Sequence, residues 1–241
     1  MPECALRRLM QYGFMPVLMP PSARLSEPLS SHPDMLICRI GDELVSTSDY
    51  LEAGEAEMSV IYDNTRMRMH FTSDIHGKVY PDDVILNALV MGKSIYAREA
   101  SLSIYLKELA ESRGYTVINS NQGYPACTVM KLSDEAAITA DRGMYALLTE
   151  NGIRAYLIEQ GGIELPPYEY GFIGGASGVY SGCAYFIGNA EKHPSYDKIK
   201  EALDKEGLRP VMLGDFPLSD LGGILFLEGD VNDDRNHGDE Q

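Results

Sequence analysis

One junction recurs along this chain and limits what it can fold into. A stretch with helical spacing ends near a glycine, and a short β-type run follows at once. It occurs at Cys4–Tyr12, Gly13 and Met15–Met19, and again at Leu102–Ser112, Gly114 and Thr116–Asn119. It returns at Gly143–Glu150, Gly152 and Ala155–Ile158, and at Tyr196–Lys205, Gly207 and Pro210–Leu213. A glycine just past a helix supplies the left-handed C-terminal cap, and the chain then turns straight into a strand. The long gap between Gly13 and Gly114 leaves room for a further, degraded unit, with Tyr50–Met58 as helix and Met67–Thr72 as strand.

Ahead of the helices lie paired runs rich in β-branched and aromatic residues. They are Met35–Ile40 with Glu43–Ser46, Val84–Val90 with Ser94–Ala97, Thr128–Leu132 with Ala136–Thr139, and Cys183–Ile187. The unit therefore reads strand, strand, helix, strand. Each pair is preceded by a short polar or glycine-bearing motif: Ser31-His32-Pro33-Asp34, Tyr80-Pro81-Asp82-Asp83, Gly123-Tyr124-Pro125-Ala126-Cys127, Gly174-Gly175-Ala176-Ser177 and Ser219-Asp220-Leu221-Gly222-Gly223. If five such units close into a ring, these motifs converge on one axis. A histidine, a cysteine and several carboxylates then meet although they are far apart in sequence.

Charge narrows the partners. The chain of 241 residues carries a net charge of −16. Nucleic acid is excluded as a direct ligand by repulsion, and a cationic substrate would be drawn in. From Glu228 to Gln241 there are six acids against one base, Arg235, with almost nothing to bury; a disordered acidic tail is expected there, after one folded domain from Met1 to about Leu227. The four cysteines, Cys4, Cys38, Cys127 and Cys183, form no CxxC pair and no zinc spacing. No apolar run is long enough for a signal peptide or a membrane span, so a cytoplasmic protein with reduced thiols is expected. Neither a metal nor an organic cofactor is called for. Oligomeric state is left open.

These motifs resemble the guanidino-group-modifying, or pentein, superfamily, which includes arginine deiminases, dimethylarginine dimethylaminohydrolases and amidinotransferases. The likeness is carried by Gln122–Cys127, Ile138-Thr139-Ala140-Asp141 and Gly171–Ser177, and is nearest to uncharacterised bacterial proteins of that fold. It implies an α/β fold, a five-bladed α/β propeller of ββαβ units with pseudo-fivefold symmetry. His32, Pro81-Asp82-Asp83 and Cys127 follow the cyclic order of the dimethylarginine hydrolases from a different starting point, which resembles a circular permutation. In that alignment Asp220 stands at the catalytic acid and Gly174–Ser177 on the substrate-binding blade. A direct alignment instead puts Ala176 at the acid position, which would leave the site dead.

The resemblance implies a cysteine-dependent hydrolase or amidinotransferase acting on a guanidino compound. Cys127 would be nucleophile, His32 proton shuttle and Asp220 the orienting acid. Asp34, Asp82, Asp83, Asn87 and Ser177 are the candidates for substrate binding. Each has a plainer reading. Cys127 is also a small apolar residue for a core, His32 and Asp34 also suit a turn, and Asp82 and Asp83 also suit solvated turn positions. Asn87, in an apolar run, needs a partner and either lines the channel or cross-links blades. Asp141 reads as the N-cap of the helix that follows. A catalytically inactive pentein serving as a protein- or ligand-binding module is the alternative function.

Overall fold

The computed structural model describes residues 1–229. Helix α1 (Glu3–Gln11) opens the chain. Four complete units follow. The first runs α2 (Pro33–Leu36), β1 (Cys38–Ile40), β2 (Glu43–Thr47), α3 (Leu51–Asn64) and β3 (Arg68–Thr72). The second contains β4 (Leu89–Met91), β5 (Ser94–Ala97), α4 (Ile104–Ser112) and β6 (Thr116–Asn119). The third contains α5 (Pro125–Thr128), β7 (Val129–Lys131), β8 (Ala136–Thr139), α6 (Arg142–Glu150) and β9 (Arg154–Leu157). After the short β10 (Ile163–Glu164), the fourth contains β11 (Ser177–Tyr180), β12 (Cys183–Phe186), α7 (Tyr196–Lys205) and β13 (Arg209–Met212); β14 (Leu218–Ser219) pairs in parallel with β10.

Every unit has the same sheet. Its first two strands form an antiparallel hairpin, and the third returns through the helix to lie parallel to the second. The middle strand is the buried one: β2, β8 and β12 are buried along their whole length, and β5 at all but Ser94. Each helix covers its sheet with a narrow apolar stripe. In α7 this is Ile199, Ala202 and Leu203, one turn apart. Ser103 caps α4 by accepting from the Leu106 N–H, and Asp141 caps α6 by accepting from the Met144 N–H, as its sequence context suggested. The glycines that end α1, α4, α6 and α7 all have positive φ.

The apolar clusters join neighbouring units in series. Ile40 and Val45 of the first unit pack with Ile95 and Leu106 of the second. Tyr96 of the second packs with Met144 and Leu148 of the third, and Ile138 of the third with Phe186 and Ile199 of the fourth. Cys183 and Tyr185 of the fourth pack with Ala5 and Leu9 of α1 and with Phe226. Met19, Val17 and Leu227 then pack against Tyr50, Met58 and Ile61 of the first unit. The series returns to its start, and the fifth position is occupied by the two ends of the chain.

Several expected boundaries change. The unit expected to be degraded is complete, with α3 ending at Asn64 without a glycine. Met15–Met19, expected as a strand, is extended chain without ladder partners among the described residues. Met35–Leu36 and Val84–Asn87 are not strand: the first pair lies in α2 and the second run in a tight turn; Pro33 and Pro125 at the first positions of α2 and α5 fix the backbone of those two helical turns. Strand β11 starts at Ser177, the last residue of the Gly174–Ser177 motif. Glu228 and Gly229, expected in the disordered tail, are described, and Gly229 bridges to Thr65. The rest of the expected tail lies outside the described residues.

Candidate active site

Each unit begins with a tight turn at the axis, and these turns are hydrogen-bonded to one another in a closed cycle. The Asp34 carbonyl accepts from Asn87 Nδ2 at 3.1 Å, and Asn87 Oδ1 accepts from the Ala126 N–H at 2.9 Å. The Cys127 carbonyl accepts from the Gly175 N–H at 3.0 Å, and the Gly175 carbonyl accepts from the N–H groups of Leu221 (2.9 Å) and Gly223 (2.7 Å). The Gly222 carbonyl accepts from the Asp34 N–H at 3.3 Å, which closes the cycle. Two of the turns need glycine for this approach. A Cβ at Gly175 would lie 1.9 Å from Asp220 Oδ1, and one at Gly222 would lie 2.5 Å from the His32 Cβ. Asn87, whose role was open between channel and cross-link, is a cross-link.

Inside the cycle sits Cys127, 2% exposed. Asn87 Nδ2 donates to its Sγ at 3.1 Å. Burial, followed by the carboxylates of Asp34 and Asp220, pushes the thiol well above its ordinary range. Asp34 is itself raised to about 7, first by burial and then by Asp220, against a smaller opposing effect of the Cys127 thiol. Both Asp34 oxygens are buried without a hydrogen bond of ordinary geometry among the described residues; the donors near them are the Cys127 thiol and the Asp34 N–H. Asp220 is raised to about 6 by burial, although the N–H groups of Phe172 (2.8 Å) and Gly222 (3.1 Å) bond to its oxygens.

His32 precedes Pro33 and makes no side-chain cap to α2. Its Nδ1 lies 3.8 Å from Asp220 Oδ1 and 4.0 Å from Asp34 Oδ1. These are close approaches, beyond hydrogen-bond length. Burial lowers His32 to about 4, so it is neutral at pH 7. His32, Asp34, Asn87, Cys127 and Asp220 are thus brought together. Of the two positions that competed for the acid, Asp220 stands beside His32, and Ala176 is buried in the core between the third and fourth units.

The other candidates fall away from this point. Asp82 is exposed. Asp83 is buried; its Oδ2 accepts from the Tyr124 hydroxyl at 2.8 Å, and burial raises its carboxyl. Both lie in a turn rather than on opposite faces of a strand. Ser177 donates to the Ile173 carbonyl at 2.6 Å. Cys38 is buried and pushed up to about 12 by that burial, which suits packing. Cys4 is exposed. Tyr124 was quoted only as part of a motif. Its placement between Asp83 and the Cys127 pocket could have been sought in the Tyr-Pro pair before α5.

Residues 1–225 match the family described as "Family of unknown function (DUF6873)". The chain belongs to DUF6873. No curated protein is similar enough to match it. Among solved structures, this DUF6873 member is similar to SxtG, an amidinotransferase of the saxitoxin biosynthetic pathway from Microseira wollei. Identity is 12%, the TM-score is 0.51, and the match covers 95% of this chain and 84% of that one. DDAH from Pseudomonas aeruginosa, as a Cys-to-Ser mutant complexed with citrulline, matches at 12% identity and TM-score 0.43, over 74% of this chain and 69% of that one. The inosamine-phosphate amidinotransferase StrB1 from Streptomyces griseus matches at 14% identity and TM-score 0.45, over 78% and 63%. The fold is the pentein fold, as the motifs implied. No helix among the described residues is long and apolar enough to cross a membrane.

Proposed function

We propose that this DUF6873 member modifies a guanidino compound through Cys127, as a hydrolase or an amidinotransferase. One observation carries the reading: the two buried oxygens of Asp34 have no charged donor and no hydrogen bond of ordinary geometry, and they lie beside a buried thiol, with a second carboxylate, Asp220, close by. Buried polar atoms are nearly always paired, so an empty carboxylate of this kind calls for a donor. A planar cation with several N–H groups fits it. Such a cation also reverses the electrostatics at Sγ. The carboxylate repulsion that adds to burial in holding the proton on Cys127 is offset, and the thiolate forms only with substrate present. The amidinotransferase that shares the fold is named for chemistry on the same kind of group.

The steps are then as follows. The Cys127 thiol passes its proton to His32 as the thiolate adds to the guanidinium carbon. His32 gives that proton to the leaving amine as its C–N bond breaks, leaving an amidino-enzyme thioether. Water or an acceptor amine adds next and gives a proton to His32; the C–S bond breaks, the product leaves, and His32 returns the proton to Cys127. Asp220 orients His32, and Asp34 holds the guanidinium.

A second reading has its own observation. Both the thiol and His32 are almost fully buried, and the Asp220 oxygens are already engaged by backbone N–H groups. A non-catalytic module that binds a cation or a protein would look the same. Release of amine, ammonia or urea from a panel of guanidino compounds separates the two. The enzyme reading expects turnover that falls at least ~10³-fold in Cys127→Ser, the scale for loss of a nucleophile. Absence of turnover in the wild type, with the compounds still raising its Tm, would favour the module.

A further inference from the structure

His32 and Asp220 line one cleft, and Pro28, Ser31, Glu164 and Ser219 line it beside them. His32 is 3% exposed, and its Nδ1 has no hydrogen-bond partner among the described residues. Two further carboxylates flank this pair. On one side is Glu27, next to Pro28. Its Oε1 accepts from the hydroxyl of the buried Ser30 at 2.7 Å, and its charge acts on His32 against the larger effect of burial. On the other side is Glu164, in β10 opposite Ser219 of β14. Ile163 and Leu218, the other pair of that ladder, are buried in the core, so Glu164 and Ser219 turn the opposite way, to the cleft. The Asp220 N–H donates to the Glu164 carbonyl at 2.9 Å, which fixes Glu164 beside Asp220. Glu27 and Glu164 are exposed, and neither has an ion pair among the described residues.

Positive charge lies elsewhere. The one basic side chain lining the cleft, Arg209, donates to the Cys183 thiol at 3.3 Å. Arg209 and Cys183 pair at the start of β12. Ser219 donates to the carbonyl of Ile187 past its other end, ~13 Å further along the strand. After burial, the charges that act on His32 and Asp34 are those of Glu27 and Asp220, both negative. A second cleft opens on Asp34 from another side and is lined by Arg39 and Lys131. His32, which hands its proton to the leaving nitrogen, lines the first cleft and not the second, so the chain of the substrate is taken through the first.

We propose that the substrate is a guanidino compound whose far end carries a second positive charge, an amine, held by Glu27 and Glu164. This rests on the guanidino reading above and names which members of that class are taken. A carboxylate at the same far end would meet two like charges.

The test compares three compounds of similar length: agmatine with an amine end, butylguanidine with a methyl end and guanidinobutyrate with a carboxylate end. Their affinities for the full chain carrying Cys127→Ser, by calorimetry at low salt, should fall in that order, roughly tenfold at each step. The advantage of agmatine should shrink as salt is added. In a Glu27→Gln, Glu164→Gln double variant it should fall to within about twofold of butylguanidine. Both positions are exposed, so the melting curve should stay that of the parent. Butylguanidine bound as tightly as agmatine overturns the second charge, and guanidinobutyrate bound more tightly than either puts the chain in the second cleft, toward Arg39. Both results leave the guanidino reading standing. An agmatine advantage undiminished in the double variant overturns the assignment to Glu27 and Glu164. If none of the three binds and the wild type turns none over, the guanidino reading itself fails, and this inference with it.

Discussion

At the scale of single residues the site is a balance of opposed titrations. Asp34 and Asp220 hold their protons more tightly in the folded chain than in the unfolded one, up to about 7 and about 6. Each therefore loses stability for the fold as pH rises from the ordinary carboxylate range to its folded value. His32 does the reverse. Burial lowers it to about 4, so the unfolded chain binds the extra proton and stability rises with pH between about 4 and 6.5. Asp34→Asn removes one falling contribution, so its stability relative to the wild type should rise with pH between about 4 and 7, by at most ~1.4 kcal/mol per pH unit. Urea midpoints of the two proteins between pH 4.5 and 7.5 measure this, and a difference that stays flat through the window would contradict it. A guanidino ligand such as agmatine should raise Tm more at pH 8, where its carboxylate partners are ionised, than at pH 5.

At the scale of elements, glycines divide into two kinds that ask for different costs. Gly114 has φ +71° with open space around its Cβ position, so Gly114→Ala should cost ~1 kcal/mol in conformational strain. Gly175 has no space, because a Cβ would sit on the Asp220 carboxylate; Gly175→Ala should cost ~3 kcal/mol or fail to fold. Asp141→Ala removes the cap on the Met144 N–H and should cost ~1 kcal/mol. Denaturant unfolding ranks the three. The same distinction explains what could be read in the sequence. Glycines at helix ends act locally, so α1, α4, α6 and α7 were legible with the strands β6, β9 and β13 after them. Helix α3 ends on Asn64 and Thr65, so its unit seemed degraded. The axial turns were misread because Met35–Ile37 and Val84–Leu86 are apolar enough for strands. Their burial is against the axis, and only Pro33 and Pro125 hinted at a helical turn. Met15–Met19 has strand composition but not a strand, since a third strand is defined by a second one. The candidate site was legible as far as His32, Asp34, Cys127 and Asp220, whose motifs lead their units, and Asn87, a polar residue in an apolar run. Asp82 and Asp83 lie in a comparable motif, but one turns to solvent and the other to Tyr124, a choice set by tertiary packing.

At the scale of the molecule, the circle is completed by the chain's two ends. Phe226 packs its ring against Phe14, Tyr185 and Tyr180, with centroids 4.9, 5.0 and 5.3 Å away. The Phe226 carbonyl accepts from Arg39 Nη1 of the first unit at 2.8 Å. Phe226→Ala should therefore cost ~3 kcal/mol, and faster exchange should reach the amides of Ala5–Leu9 in α1 as well as its own neighbourhood. Exchange confined to the last few residues would show that the closure carries no such load. The cycle of hydrogen bonds at the axis has a further consequence for how this protein could change its chemistry. Asp34, Asn87 and Cys127 bring side chains to three of its turns, and Asp220 brings a fourth from the turn that contains Gly222 and Gly223; the Asp220 carboxylate fits only because Gly175 beside it has no Cβ. Symmetry of the backbone thus demands asymmetry of the sequence: the functional group at one turn is admitted because its neighbour carries none.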